Sequence, residues 1–67
     1  MNRSLATTAE VAEYLAEDER TLEKWRYQRR GPRWIKMGDG RTAPVRYRWS
    51  DVEKWLDERT VTVGGAA

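Results

Sequence analysis

A chain of 67 residues makes one small domain, near the size below which folding usually needs staples, and with no cysteine it has neither disulfides nor thiolate ligands. Histidine is missing as well, which removes the usual general base and leaves only carboxylates for a metal, so no enzyme, cofactor or metal site is expected. The net charge is +2, and with no apolar run of membrane-spanning length and no signal-peptide core the expected setting is soluble, reducing and cytoplasmic, with no membrane partner.

In chain order, residues 1–6 read as a loose lead-in, with Leu5 available to pack. Thr7-Thr8-Ala9-Glu10 has the form of a capping box, in which a hydroxyl and a carboxylate reciprocally satisfy amides at a helix start. It predicts a first helix over about residues 8–16, with Val11, Ala12 and Leu15 inward and Glu10, Glu13 and Glu17 outward. Ala12 is small, as it should be where a second helix crosses closely. Ala16-Glu17 is a very short link to Asp18, a good N-cap. The stretch from Asp18 to Gly31 predicts the second helix, with Gly31-Pro32 as its stop signal. Leu22 and Trp25 anchor one face, which Arg26 or Arg29 shares, while Arg20, Glu23, Lys24 and Tyr27 point away. Two short helices joined so tightly read as helix-turn-helix.

After Pro32 the period changes from helical to alternating. Trp34–Met37 and Val45–Trp49 flank a Gly-rich turn and predict a β-hairpin. Ile35, Met37, Val45 and Tyr47 are expected to cover the core, and Lys36, Arg46 and Arg48 to share the other face, with Arg41 near the tip. Such an appendage to a helix-turn-helix is a wing. Ser50-Asp51-Val52-Glu53 reads as a second capping box opening a third helix over about 51–59, with Val52, Trp55 and Leu56 inside. Residues 61–67 lack any period and read as a flexible tail. The expected architecture is therefore α+β: a winged helix-turn-helix over residues 1–60, made of two short helices, a hairpin wing and a third helix.

The small net charge hides a segregation. Lys24 to Arg48 holds nine bases and one acid, a balance of +8, whereas residues 1–23 stand at −4 and residues 49–67 at −2. One basic face with acidic flanks points to a polyanion, double-stranded DNA. Within it, Arg20, Lys24 and Tyr27 are candidates for the recognition face, Arg20 having the fork that pairs with guanine O6/N7. Thr21 is placed to bond a phosphate. Lys36, Arg46 and Arg48 are phosphate candidates, and Arg41 is a minor-groove candidate. Trp25, Trp34 and Trp55 are assigned to the core; Trp49, in a basic strand, has no assigned role.

Several stretches together resemble the excisionase and MerR-like winged-helix group. They are Thr7 to Leu15, Thr21-Leu22-Glu23-Lys24-Trp25-Arg26, Gly31-Pro32, Ile35-Lys36-Met37-Gly38, Val45-Arg46-Tyr47-Arg48 and Ser50-Asp51-Val52-Glu53-Lys54-Trp55-Leu56. The resemblance spans nearly all of residues 5–59. It implies a second helix in the major groove and a wing against the minor groove. It also implies an excisionase of phage or plasmid type, a recombination directionality factor that bends DNA. Such a protein binds beside copies of itself and steers an integrase towards excision in the cytoplasm of a bacterial host. A small MerR- or AlpA-like transcriptional regulator is the alternative. The chain departs from the group at Ala16-Glu17-Asp18, where Gly-Val-Ser is frequent, and in a longer hairpin turn. Glu19 is then either a dipole-favoured first-turn acid or an acceptor for a cytosine amino group.

Overall fold

Six elements follow one another: β1 (Leu5–Thr7), α1 (Thr8–Leu15), α2 (Glu19–Tyr27), β2 (Ile35–Lys36), β3 (Val45–Arg48) and α3 (Trp49–Arg59). The computed structural model describes residues 5–63. Residues 61–63 are exposed and outside any element; the rest of the expected tail, and the first four residues of the expected lead-in, lie outside the described residues. The whole is an α+β winged helix-turn-helix.

Leu5 and Ala6, expected in the lead-in, instead form a strand with Thr7. β1 pairs antiparallel with β3, Leu5 opposite Arg48, Ala6 opposite Tyr47 and Thr7 opposite Arg46, and β2 takes the other edge of β3. The core demands this pairing, since Ala6 and Tyr47 face each other and each is only 1% exposed. Three residues are too few for an alternating pattern to declare itself.

The hairpin register also differs from expectation. Ile35 lies opposite Arg46, and Lys36 opposite Val45. Directly opposed residues share a face, so Lys36 belongs with Val45 and Tyr47, and Ile35 joins Arg46 and Arg48. The expected faces were therefore one residue out on the first strand, and a slip of one inverts every side chain. Met37 accordingly is 50% exposed rather than covering the core.

Thr7 closes the first helix as expected: its hydroxyl accepts from the Glu10 amide at 3.1 Å, and the Glu10 carboxylate accepts from the Thr7 amide at 2.9 Å. α1 stops at Leu15, one residue early, because Ala16 turns left-handed at φ 59°. The amides of Glu17 and Ala16 then donate to the carbonyls of Ala12 (2.8 Å) and Glu13 (3.1 Å), the pairing of a Schellman motif. Asp18 caps α2, accepting from the Arg20 amide at 2.9 Å. α2 ends at Tyr27, well before Gly31, through a second such motif: Arg30 donates to the Trp25 carbonyl at 2.7 Å and Arg29 to Arg26 at 3.1 Å. The left-handed residue is Arg29 (φ 59°). Gly31 has a separate task, passing Trp25 so closely at φ 84° that a Cβ would lie 2.8 Å from Cε3 of the indole.

The Ser50 capping box does not form. α3 begins at Trp49 with no side-chain cap, and Asp51 meets Arg48 instead at 3.8 Å. What draws Trp49 into the helix is packing: its ring meets Tyr14 edge-on, centroids 5.2 Å apart, and lies against the core. That core is Ala6, Val11, Ala12, Leu22, Tyr47 and Val52, where α1, α2, α3 and the inner sheet face converge.

Candidate nucleic-acid interface

Leu22 is fully buried and Trp25 half-buried, its ring 5.2 Å from that of Trp55. Pinning these two residues turns the opposite face of α2 outward. Arg20, Lys24 and Tyr27 are exposed at helical spacing, with Tyr27 at 92%, while Thr21 is half-buried beside them. Glu19 and Glu23 are exposed on the same short helix; Glu19 in the first turn and Lys24 and Arg26 in the last stand where the helix dipole favours them, while Arg20 stands against it.

The wing candidates divide rather than unite. Arg46 and Arg48 alternate along the outer face of β3 beside Ile35 and Leu5. Arg46 is half-buried and turns one guanidinium nitrogen back onto the Val45 carbonyl at 2.9 Å. Arg48 is exposed while reaching Asp51. Lys36 is exposed too, but by register it stands on the opposite face. Arg41 is exposed in the loop between β2 and β3, which Met37 closes by donating to the Pro44 carbonyl at 2.8 Å.

Arg26 has a structural assignment that its sequence position only hinted at. Its Nη1 donates to the Tyr47 hydroxyl at 2.8 Å and to Thr8 Oγ1 at 3.3 Å, and its guanidinium lies 5.8 Å from the centre of the Trp34 ring. A buried tyrosine needs a partner for its hydroxyl; here the partner comes from α2. The contact couples α2 to β3. Trp34 is consequently not a core residue: it is 41% exposed, at the rim.

The arrangement least visible in sequence follows α2. Arg26, Arg29, Arg30 and Arg33, with Tyr27 and Trp34, line an open cleft of about 670 Å³. Among the described residues, none that lines it is acidic. The signal was present as the run Arg29-Arg30-Gly31-Pro32-Arg33-Trp34, but only the turn at Gly31-Pro32 brings its members around one hollow.

Away from these candidate residues in sequence, the Tyr14 phenol donates to the Glu53 carboxylate, tying α1 to α3. That bond, together with desolvation and the carboxylate charge, pushes the phenol pKa up. Among the described residues no group of three or more His, Cys, Asp or Glu gathers as for a metal. No helix there is long and apolar enough to cross a membrane.

Residues 7–60 match the model of a family described as a helix-turn-helix domain. No curated protein matches the chain.

Proposed function

The chain belongs to this helix-turn-helix family, which includes excisionase-like DNA-binding proteins, and from that premise we propose a sequence-selective double-stranded DNA-binding protein that does no chemistry of its own. In this reading α2 enters the major groove. The observation that carries it is the exposed row of Arg20, Lys24 and Tyr27, held rigid from behind by Leu22 and Trp25. Arg20 reads a guanine, while Arg46, Arg48 and Arg41 meet the backbone and minor groove; Lys36 serves from the other face of the hairpin.

The biological role we propose is that of an excisionase. Bound beside copies of itself, it bends DNA so that an integrase acts in the excisive direction. The motif resemblance supports this role. In vitro selection on random duplexes, followed by mutant binding, tests the reading. Arg20→Ala should weaken specific binding by about 1–3 kcal/mol and relax one base preference. Arg46→Ala should weaken all sequences alike and lower the salt dependence. Identical behaviour of the two variants at several salt concentrations refutes the division of labour. An in vitro excision assay with an integrase and its attachment sites, with and without the protein, separates an excisionase from a transcriptional regulator.

A further inference from the structure

We propose that the arginine cleft at the C-terminal end of α2 is a second grip on the DNA backbone, built from Arg29, Arg30 and Arg33. It holds phosphates beyond the bases that α2 reads. The inference rests on the duplex-binding reading above and adds to it a site outside the recognition face and the wing.

Charge is the first ground. Four guanidiniums surround the hollow, and none of its lining residues, among those described, is acidic. Arg26 is committed inward to Tyr47 and Trp34 and acts as the wall. Arg29, Arg30 and Arg33 are exposed. Planar forks of this kind bind phosphate oxygens two at a time.

Backbone strain is the second. Arg29 occupies the left-handed position that ends α2, at φ 59°. Glycine fits there without cost, whereas a side chain is strained. That turn sends the chain back so that Arg30 and Arg33 line the same hollow as Arg29.

Continuity is the third, and it selects DNA over an acidic protein segment. Tyr27 lines the cleft and also stands on the same outer face as Arg20 and Lys24. Arg20 and Tyr27 lie seven positions apart, roughly 10 Å at the helical rise, between one and two phosphate steps along a strand. A strand followed from Arg20 past Lys24 therefore arrives at the cleft. Tyr27 and Trp34 offer it flat, exposed rings for sugars and base edges.

The test uses the full chain and a 24-bp duplex carrying the site recovered by selection, with binding measured across salt concentrations. R30Q/R33Q should bind about tenfold more weakly at 0.1 M salt, with the log–log salt slope reduced by about 2 and base preference unchanged. R59Q, which removes an exposed cation from α3, should leave both nearly unchanged. Single methylphosphonates along the duplex add the second arm: one flanking phosphate, outside the bases read, should matter to the unmodified protein and not to R30Q/R33Q. Thermal melts accompany each variant. If the glutamine pair melts early, R30K/R33K keeps the charge and should retain the slope while losing affinity severalfold; no loss there refutes the grip. If R30Q/R33Q and R59Q behave alike while the unmodified protein binds its site, the cleft does not hold the DNA backbone and this inference falls alone. If the unmodified protein does not bind duplex at all, the functional reading falls with it.

Discussion

The contact between Arg26 and Tyr47 joins α2 to β3, and its worth can be put in numbers. In Arg26→Met the stem is kept and the guanidinium removed, which leaves the Tyr47 hydroxyl, on a residue 1% exposed, without its 2.8 Å donor. A buried polar group stripped of its partner costs about 1–3 kcal/mol. Loss of the cation near Trp34 adds about 0.5 kcal/mol at this partly open site. The expected total is about 2 kcal/mol, so at a urea m-value of about 1 kcal/mol/M the unfolding midpoint should fall by about 2 M. Tyr47→Phe removes the acceptor instead. The half-buried arginine keeps Thr8 Oγ1 at 3.3 Å and can recruit water, so the cost should be nearer 1 kcal/mol.

The double variant decides the matter. With both partners gone no buried group is orphaned, and the pair should cost about 1 kcal/mol less than the sum of the singles. Additivity within about 0.3 kcal/mol would mean the two residues do not act as a unit. DNA binding supplies an independent check. Because Arg26 is turned inward, Arg26→Met should lower affinity by loosening α2 against β3 while leaving the salt slope unchanged. A slope reduced by about 1 would place Arg26 on a phosphate and refute the structural assignment.

The other expectations concern particular turns and one titration. Ala16→Gly relieves a left-handed alanine and should raise stability by about 0.5–1 kcal/mol, seen as a melting temperature higher by about 4 °C; no rise would show that the turn is unstrained. Gly31→Ala combines φ 84° with a Cβ 2.8 Å from the Trp25 ring. It should cost about 2 kcal/mol or more and weaken the near-ultraviolet dichroism of the Trp25–Trp55 pair. Glu53→Gln should bring the Tyr14 phenol back down towards 10.0, read by absorbance titration near 295 nm. Since the folded-state pKa is the raised one, the phenol's contribution to stability is present below pH 10.0 and fades as pH climbs through the raised value. An unmoved titration in Glu53→Gln would assign the shift to another cause.

Local chemistry carried most of the helical framework into view. The capping box at Thr7 and the cap at Asp18 each involve groups within three residues of one another, so pattern alone locates them. The stripes of Val11 with Ala12, and of Leu22 with Trp25, are likewise written in helical spacing. What stayed hidden depends on competition between distant groups. Ser50 is a better cap than Arg48 on any local scale, yet α3 starts earlier because Trp49 finds Tyr14 across the fold. Gly31 is a better helix stop than Arg29, yet it is needed three-dimensionally, beside Trp25, and Arg29 takes the strained position. β1 exists because Ala6 covers Tyr47, a partner forty-one residues away.

The same distinction governs the binding surface. Arg20, Lys24 and Tyr27 were legible because a helix held by two apolar residues has only one outward face. The wing was not, because β2 is two residues long and its phase is set by β3 rather than by its own alternation. One residue of register separates Lys36 from Arg46 and Arg48, and with it the picture of a single basic hairpin face. The basic density lost there is recovered at the end of α2, where a left-handed residue and a glycine fold the next arginines back around Trp34. The positive segment spanning Lys24 to Arg48 is therefore laid out in three places, each set by a different geometric device. A helix face depends on periodicity, a strand face on register and a cleft on its turns. A charge count along the chain registers all three but separates none of them.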